Sequence, residues 1–230
     1  MPGRLPAPLL LVAVGLLLSG CGGSAGPPSN GVEEMTAAQA LSAVRHAVAQ
    51  ATSARIAGTA QADGKPLRLD LELAADRGGA GHVTAGGISF DIVRIGRKAY
   101  VRGDRRFWAN FTESAALQTL LAGKWLSAPA DSGPLASLTP VTNLTVLLNE
   151  ILAKHGPLTM GNTTEIDGTP AIAIVDGKTG GKLYVATTGP AYPLELQGKG
   201  TTGTVTFEDW DVPVPLAAPA RSIDFSKLAG

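Results

Sequence analysis

The sequence predicts an α+β domain in which one antiparallel sheet carries helices on its apolar face. Three observations lead there. The residue pattern runs in blocks, one helical, several extended, two helical, several extended, and contiguous strands with short connections make antiparallel hairpins rather than alternating parallel units. In KPLRLDLELA, Leu67, Leu69, Leu71 and Leu73 alternate with Arg68, Asp70 and Glu72, so one face of a strand is leucine and the other is charged. Asp63-Gly64, Asp167-Gly168 and Asp176-Gly177 punctuate extended runs at hairpin spacing.

The chain opens MPGRLPAPLLLVAVGLLLSGC, with a basic residue at Arg4, an apolar run from 9 to 18 and small residues up to the single cysteine, Cys21. That is the layout of a secretory signal peptide over residues 1–20, because the apolar run is too short for a permanent span of a bilayer about 30 Å thick. The tail LLSGC also resembles a bacterial lipobox. In that resemblance the chain is cut before Cys21, whose thiol takes a diacylglycerol thioether and whose freed amine is acylated, for example with palmitate. An ordinary cleaved signal with an incidental cysteine, or an uncleaved anchor, are the alternatives. Two or three acyl chains hold a protein stably where one does not, so the lipidated chain is expected to be exported and fixed to the outer face of the cell membrane.

With Cys21 modified no thiol is left for a disulfide, and about 195 residues must hold together by their core alone. Removing the leader takes Arg4 from nineteen basic residues and leaves eighteen against nineteen acidic ones, a net charge of −1. Such a balance gives no reason to expect a nucleic-acid partner.

Residues 21–34, CGGSAGPPSNGVEE, offer almost nothing to bury and read as a lipidated flexible tether, with a single domain over 35–230. Thr36 and Gln39 form a capping-box pattern, and Ala37, Ala40, Leu41, Val44, Val48 and Ala51 follow at helical spacing. Strands are expected over 55–60, in KPLRLDLELA, and across GISFDIVRI, RKAYVR and RRFWAN. TESAALQTLLAG and NLTVLLNEILAKHG read as helices stopped by Gly123 and Gly156. Between them KWLSAPADSGPLASLTP, with Pro129, Pro134 and Pro140, reads as an irregular surface loop and a candidate lid. Strands return from TTEIDGTPAIAIVDGKTGGKLYVATT to TVTFEDW, and VPVPLAAPA then forbids regular structure.

Little here supplies catalysis. His46, His82 and His155 show no metal-ligand spacing, and His155 is accounted for at the negative end of a helix. GISFD lacks the last glycine of a nucleophile elbow. GKGTTG at 198–203 matches a dinucleotide-binding pattern by letter, but it precedes a strand and reads as a hairpin turn. DGKTGG at 176–181 has Ile172 where a P-loop needs glycine. The acidic EDWD at 208–211 has no second cluster to complete a site, and Asn110, Asn143 and Asn162 lie in glycosylation triplets that matter only in a eukaryotic secretory pathway. An enzyme is not expected, nor a cofactor or metal.

What remains is an excess of aliphatic surface on strands and helices, which suits either a packed core or an apolar cavity. The lipobox, the helix ALSAVRHAVAQATSARIAG, VRIGRKAYVRG with Phe107-Trp108, GKWL at 123–126, IDGTPAIAI and KLYVATTGPAYPLEL together resemble the actinobacterial LppX/LprAFG lipoproteins, whose fold is LolA-like. The resemblance implies a strongly curved half-barrel with helices on its concave face and a cavity for the acyl chains of lipids or glycolipids. It implies a lining of Leu69, Leu71, Leu73, Ile88, Phe90 and Ile92 from the sheet, with Leu117, Leu121, Leu144, Leu148 and Ile151 from the helices. A lipid-carrying monomer is expected, with the membrane and an envelope lipid transporter as further partners. The rival is a solid-cored envelope module that binds a protein partner or senses envelope state.

Overall fold

A computed structural model describes residues 27–225 apart from 63, 76, 134 and 201; the expected signal peptide over 1–20 and the expected lipidation site Cys21 lie outside the described residues. Helix α1 (Ala37–Gln50) starts at Thr36, whose hydroxyl accepts from the Gln39 amide while the Gln39 side chain accepts from the Thr36 amide, so two orphan donors of the first turn are met reciprocally. Its expected stripe is buried in full, with Ala47 added.

Strands β1 (Ser53–Ala62) and β2 (Lys65–Ala74) pair along their whole length. Gly64, at φ 73°, closes the turn between them. Strands β3 (Gly78–Ala85), β4 (Ile88–Ile95) and β5 (Lys98–Gly103) continue the meander. After the helical block come β7 (Leu158–Ile166), β8 (Thr169–Asp176), β9 (Lys182–Ala186), β10 (Pro193–Gln197) and β11 (Thr204–Glu208). With β6 (Trp125–Pro129) and β12 (Ile223–Asp224) they form one twelve-stranded sheet in the order β12-β6-β5-β4-β3-β2-β1-β11-β10-β9-β8-β7. Every pair is antiparallel except β12 beside β6, and the sheet does not close, giving a curved α+β half-barrel.

One row of partners crosses seven strands: Phe207, Ile56, Leu71, Gly81, Ile92, Val101 and Leu126. Apart from the glycine, each is at most 2% exposed. At Gly58, φ is 139° and an added Cβ would lie 2.1 Å from the Thr204 carbonyl oxygen, so β11 approaches β1 more closely than any side chain permits. Such close approaches let a wide sheet bend over its own core.

Helix α2 (Arg105–Trp108) stands where RRFWAN was expected to be a strand. Asp104 caps it by accepting from the Phe107 amide at 2.8 Å, and the turn places consecutive Phe107 and Trp108 together in the core, which a strand would send to opposite faces. They cluster with Phe90 and Phe111. The Trp108 indole N–H is buried there with no hydrogen-bond partner among the described residues. Helices α3 (Ala115–Leu121) and α4 (Leu144–Ala153) begin at Ser114 and Asn143, whose side chains accept from Leu117 and Val146 amides.

The expected lid loop is also corrected. Its first part is β6, paired with β5 through Leu126 and Val101, and its second is a 3₁₀ turn over 136–142 tied down by Arg94, which donates to the Thr142 hydroxyl and carbonyl. Leu135 and Thr142 have no exposed surface. Burial of this apolar segment outweighed its prolines, of which Pro140 sits inside the 3₁₀ turn.

The tether is shorter than the sequence suggests. Ser29 bridges Thr188, the Asn30 side chain donates to Ala186 and Gly189 carbonyls and accepts from the Val32 amide, and Val32 is 1% exposed. One small aliphatic residue and one amide suffice to dock a segment whose composition reads as linker. At the other terminus, VPVPLAAPA is irregular as expected and forms a strap that accepts a hydrogen bond from Arg77 at Val214 before pairing as β12.

Two outcomes follow. Gly58→Ala is expected to lower unfolding free energy by at least about 1–3 kcal/mol in urea titration, through backbone strain at φ 139° and the clash of the new Cβ with the Thr204 carbonyl. Asn30→Ala removes three side-chain hydrogen bonds worth about 1 kcal/mol each, so limited proteolysis should clip residues before Met35 roughly a hundredfold faster while the domain core resists as before.

Candidate functional site

The helices do not cover the concave face evenly. Over β2 to β6 it is filled by the aromatic cluster of α2, by Leu121, by Leu135 and by Leu144 and Leu148 of α4. Over β7 to β11, among the described residues, α1 and the C-terminal half of α4 lie above the sheet. These two helices are joined where the Arg45 guanidinium donates to the Leu152 carbonyl at 2.9 Å, meeting one of the free carbonyls at the end of α4.

Beyond that contact a cavity of about 280 Å³ remains. Leu41, Ile151 and Leu152 form its helical wall, and Ala60, Leu158, Ile174, Leu183, Leu196 and Val205 its sheet wall. The mouth lies at one end of the sheet, where β1, β8 and β10 finish and β7, β9 and β11 begin. Gln61, Lys154, His155, Asp176, Thr179 and Thr202 surround it. An apolar floor with polar groups confined to the rim accepts a hydrocarbon segment and leaves a polar end in water.

Asp176 builds the rim. One carboxylate oxygen accepts from the Gly156 amide at 3.0 Å and the Lys178 amide at 2.8 Å; the other accepts from the Thr179 hydroxyl at 2.7 Å. The turn after α4 is thereby stapled to the turn between β8 and β9. These hydrogen bonds, the Thr179 hydroxyl foremost, hold the Asp176 carboxyl down at about 2.

Of the residues expected to line the acyl-chain cavity, Ile151 alone lines this one. Leu69, Leu71, Leu73, Phe90, Ile92, Leu121, Leu144 and Leu148 are packed in the solid half, Ile88 is half-buried, and Leu117 is 37% exposed on α3. Alternation identified inward-facing residues in the first block correctly but carried no information on which stretch of sheet the helices would leave uncovered. Leu183, Leu196 and Val205 were legible as strand residues; their position under a gap was not.

The remaining polar features have structural work. GKGTTG is the β10–β11 turn, closed by the Gly198 amide donating to the Gly203 carbonyl at 2.9 Å, and DGKTGG is the β8–β9 turn. In EDWD, Glu208 pairs with Arg55 at 3.0 Å, while the Asp211 carboxylate accepts from the Thr52 amide at 2.7 Å and the Tyr192 hydroxyl at 2.6 Å. Burial and that acceptor push the Tyr192 hydroxyl up to about 12. His82 pairs with Asp91 on the outer face of the sheet. Among the described residues no three His, Cys, Asp or Glu side chains gather as a metal site.

No family model matches the chain, and no curated protein does. Among solved structures the chain is similar to LprF from Mycobacterium bovis, with a TM-score of 0.51 at 15% identity over 85% of this chain and 100% of that one. It is also similar to the lipoprotein LppX from Mycobacterium tuberculosis, with a TM-score of 0.46 at 17% identity over 78% and 99% of the two chains. The match to LprF shows a shared fold, as the sequence resemblance implied.

Asp176 also sets a pH dependence. Its carboxyl sits at about 2 in the fold against an ordinary 3.8, so its stapling is complete above the ordinary value and is lost as pH falls towards 2. Amide exchange at Gly156 and Lys178 should therefore accelerate between about pH 4 and pH 2, ahead of global unfolding, and Asp176→Asn should show the acceleration at neutral pH.

Proposed function

We propose that this protein is a membrane-anchored lipoprotein of the cell envelope that shelters the acyl chain of a lipid or glycolipid in the cavity under α1 and α4. The observation that carries the reading is a partly open cavity with apolar walls and polar groups at its mouth, in a fold shared with LprF. The leader ending in LLSGC supports the anchor at Cys21. LppX, also similar in structure, is a lipoprotein.

Volume limits the cargo. At roughly 27–30 Å³ per methylene, about a water molecule's share of the liquid, some 280 Å³ holds roughly nine or ten methylenes, which is one chain or part of one. At about 0.8 kcal/mol per methylene the gross gain is about 7–8 kcal/mol, before the costs of association. Binding of this kind needs no catalytic group, only passage of a chain through the rim, and tolerates differences in chain identity. Exchange with an envelope lipid transporter fits the same geometry.

The test separates hollow from solid regions of one molecule. Ile151→Trp, in the cavity wall, should abolish uptake of a fluorescent fatty-acyl probe while changing stability by less than about 1 kcal/mol. Leu148→Trp, in the packed half, should destabilise by about 1–3 kcal/mol through overpacking. Native mass spectrometry with organic extraction, on the chain from a lipid-rich actinobacterial host, should show one discrete lipid adduct; bare protein after incubation with host lipids overturns the reading.

A further inference from the structure

The charged residues of this protein are sorted between the two ends of its sheet. At the mouth end stand Lys65 in the β1–β2 turn, Lys154 after α4, Lys178 in the β8–β9 turn, Lys182 at the start of β9 and Lys199 in the β10–β11 turn. All five are exposed, and among the described residues none forms a salt bridge. Among the described residues the acid at the mouth itself is Asp176, whose carboxylate is engaged by the Gly156 and Lys178 amides and the Thr179 hydroxyl; Asp104, after β5, stands at the same end of the sheet and caps α2. The opposite end carries Glu33, Asp131, Glu165, Asp167, Asp209 and Asp211 against Arg77, Arg97 and Lys98, with Arg97 paired to Asp131. A chain close to neutral overall therefore has a basic pole, and the cavity opens at its centre.

We propose that the lysine-ringed mouth docks on the anionic headgroup surface of a lipid bilayer, so that an acyl chain passes into the cavity without crossing water. The proposal rests on reading the cavity as an acyl-chain site. Each exposed lysine near an anionic surface contributes attraction that decays within a Debye length, about 8–10 Å at physiological salt, so several on one rim act together only when the mouth faces the surface. The rim turns bring no tryptophan, tyrosine or phenylalanine with them, so attachment is electrostatic rather than by insertion. A soluble polyanion would meet the same lysines but would have no use for the apolar floor between them.

The experiment uses the chain from residue 22 onward, which carries every core residue described and lacks both leader and acyl anchor. Co-sedimentation is measured with phosphatidylcholine vesicles and with vesicles in which roughly a third of the lipid is phosphatidylglycerol. Binding is expected only to the anionic vesicles, weakening at least tenfold between about 0.05 M and about 0.3 M salt. The combined variant Lys65→Gln, Lys178→Gln and Lys199→Gln should lose binding by roughly a hundredfold, at about fivefold per lysine, with its thermal midpoint unchanged. Lys98→Gln, at the other end of the sheet, should bind as the parent does. Equal binding to both vesicle types, or undiminished binding by the triple variant, overturns the docking surface. Uptake of the fatty-acyl probe from detergent solution reads the cavity separately: uptake without selective vesicle binding sinks the docking proposal alone, and selective binding without uptake supports the docking surface while removing the acyl-chain reading.

Discussion

A sheet of twelve strands that buries one face must find something apolar to lay across all of it, and among the described residues four α-helices serve that purpose. The row from Phe207 through Ile56, Leu71, Ile92 and Val101 to Leu126 runs down the middle of that face and is dry throughout. Because side chains alternate at a period of two, the register of each hairpin fixes the whole row: a slip of one residue in β2 alone would turn Leu69, Leu71 and Leu73 outward and Arg68, Asp70 and Glu72 into the core. Register, curvature and helix position are thus answers to one demand.

Where cover is complete the protein is solid, and where it runs out there is a cavity. Bulky aromatics and the leucines of α4 fill the side over β2 to β6. On the other side α4 ends at Ala153, and the chain leaves for the sheet edge before the ends of β10 and β11 are covered. A hollow in that position needs no polar ligand to hold it open, since its walls belong to a sheet and helices already fixed by the filled half. The same reasoning places the polar rim, which consists of turns whose backbone groups must meet water or one another.

The sequence made local features plain and concealed those decided at a distance. Helix α1 was legible to its cap because Thr36, Gln39 and the stripe to Ala51 lie within a few turns. So was β2, and so were the Asp-Gly hairpins. RRFWAN misled because aromatics favour strands, and only the cap at Asp104 and the demand for two adjacent aromatics in one core make it a helical turn. KWLSA gave no clean alternation and is a strand because β5 offers it an edge. The cavity was expected under the leucines of the first strand block; those leucines were the filling, and of the predicted lining only Ile151 meets the space.

The docking of Ser29 and Asn30 beside Thr188 has a consequence for reach. It takes residues from 29 onward out of the tether and leaves eight steps of chain back to Cys21. Eight steps of chain span at most about 26–29 Å. The point of departure is at the end of β9, while the mouth is at its beginning; β1, running between the same two ends over ten residues, measures about 30 Å. For a chain held at Cys21, leash and mouth therefore point in opposite directions, and the lipid surface met by the rim is a different one from the surface that holds the protein unless the leash is drawn nearly straight. The geometry is that of a bridge between two layers, with its grip on the far bank.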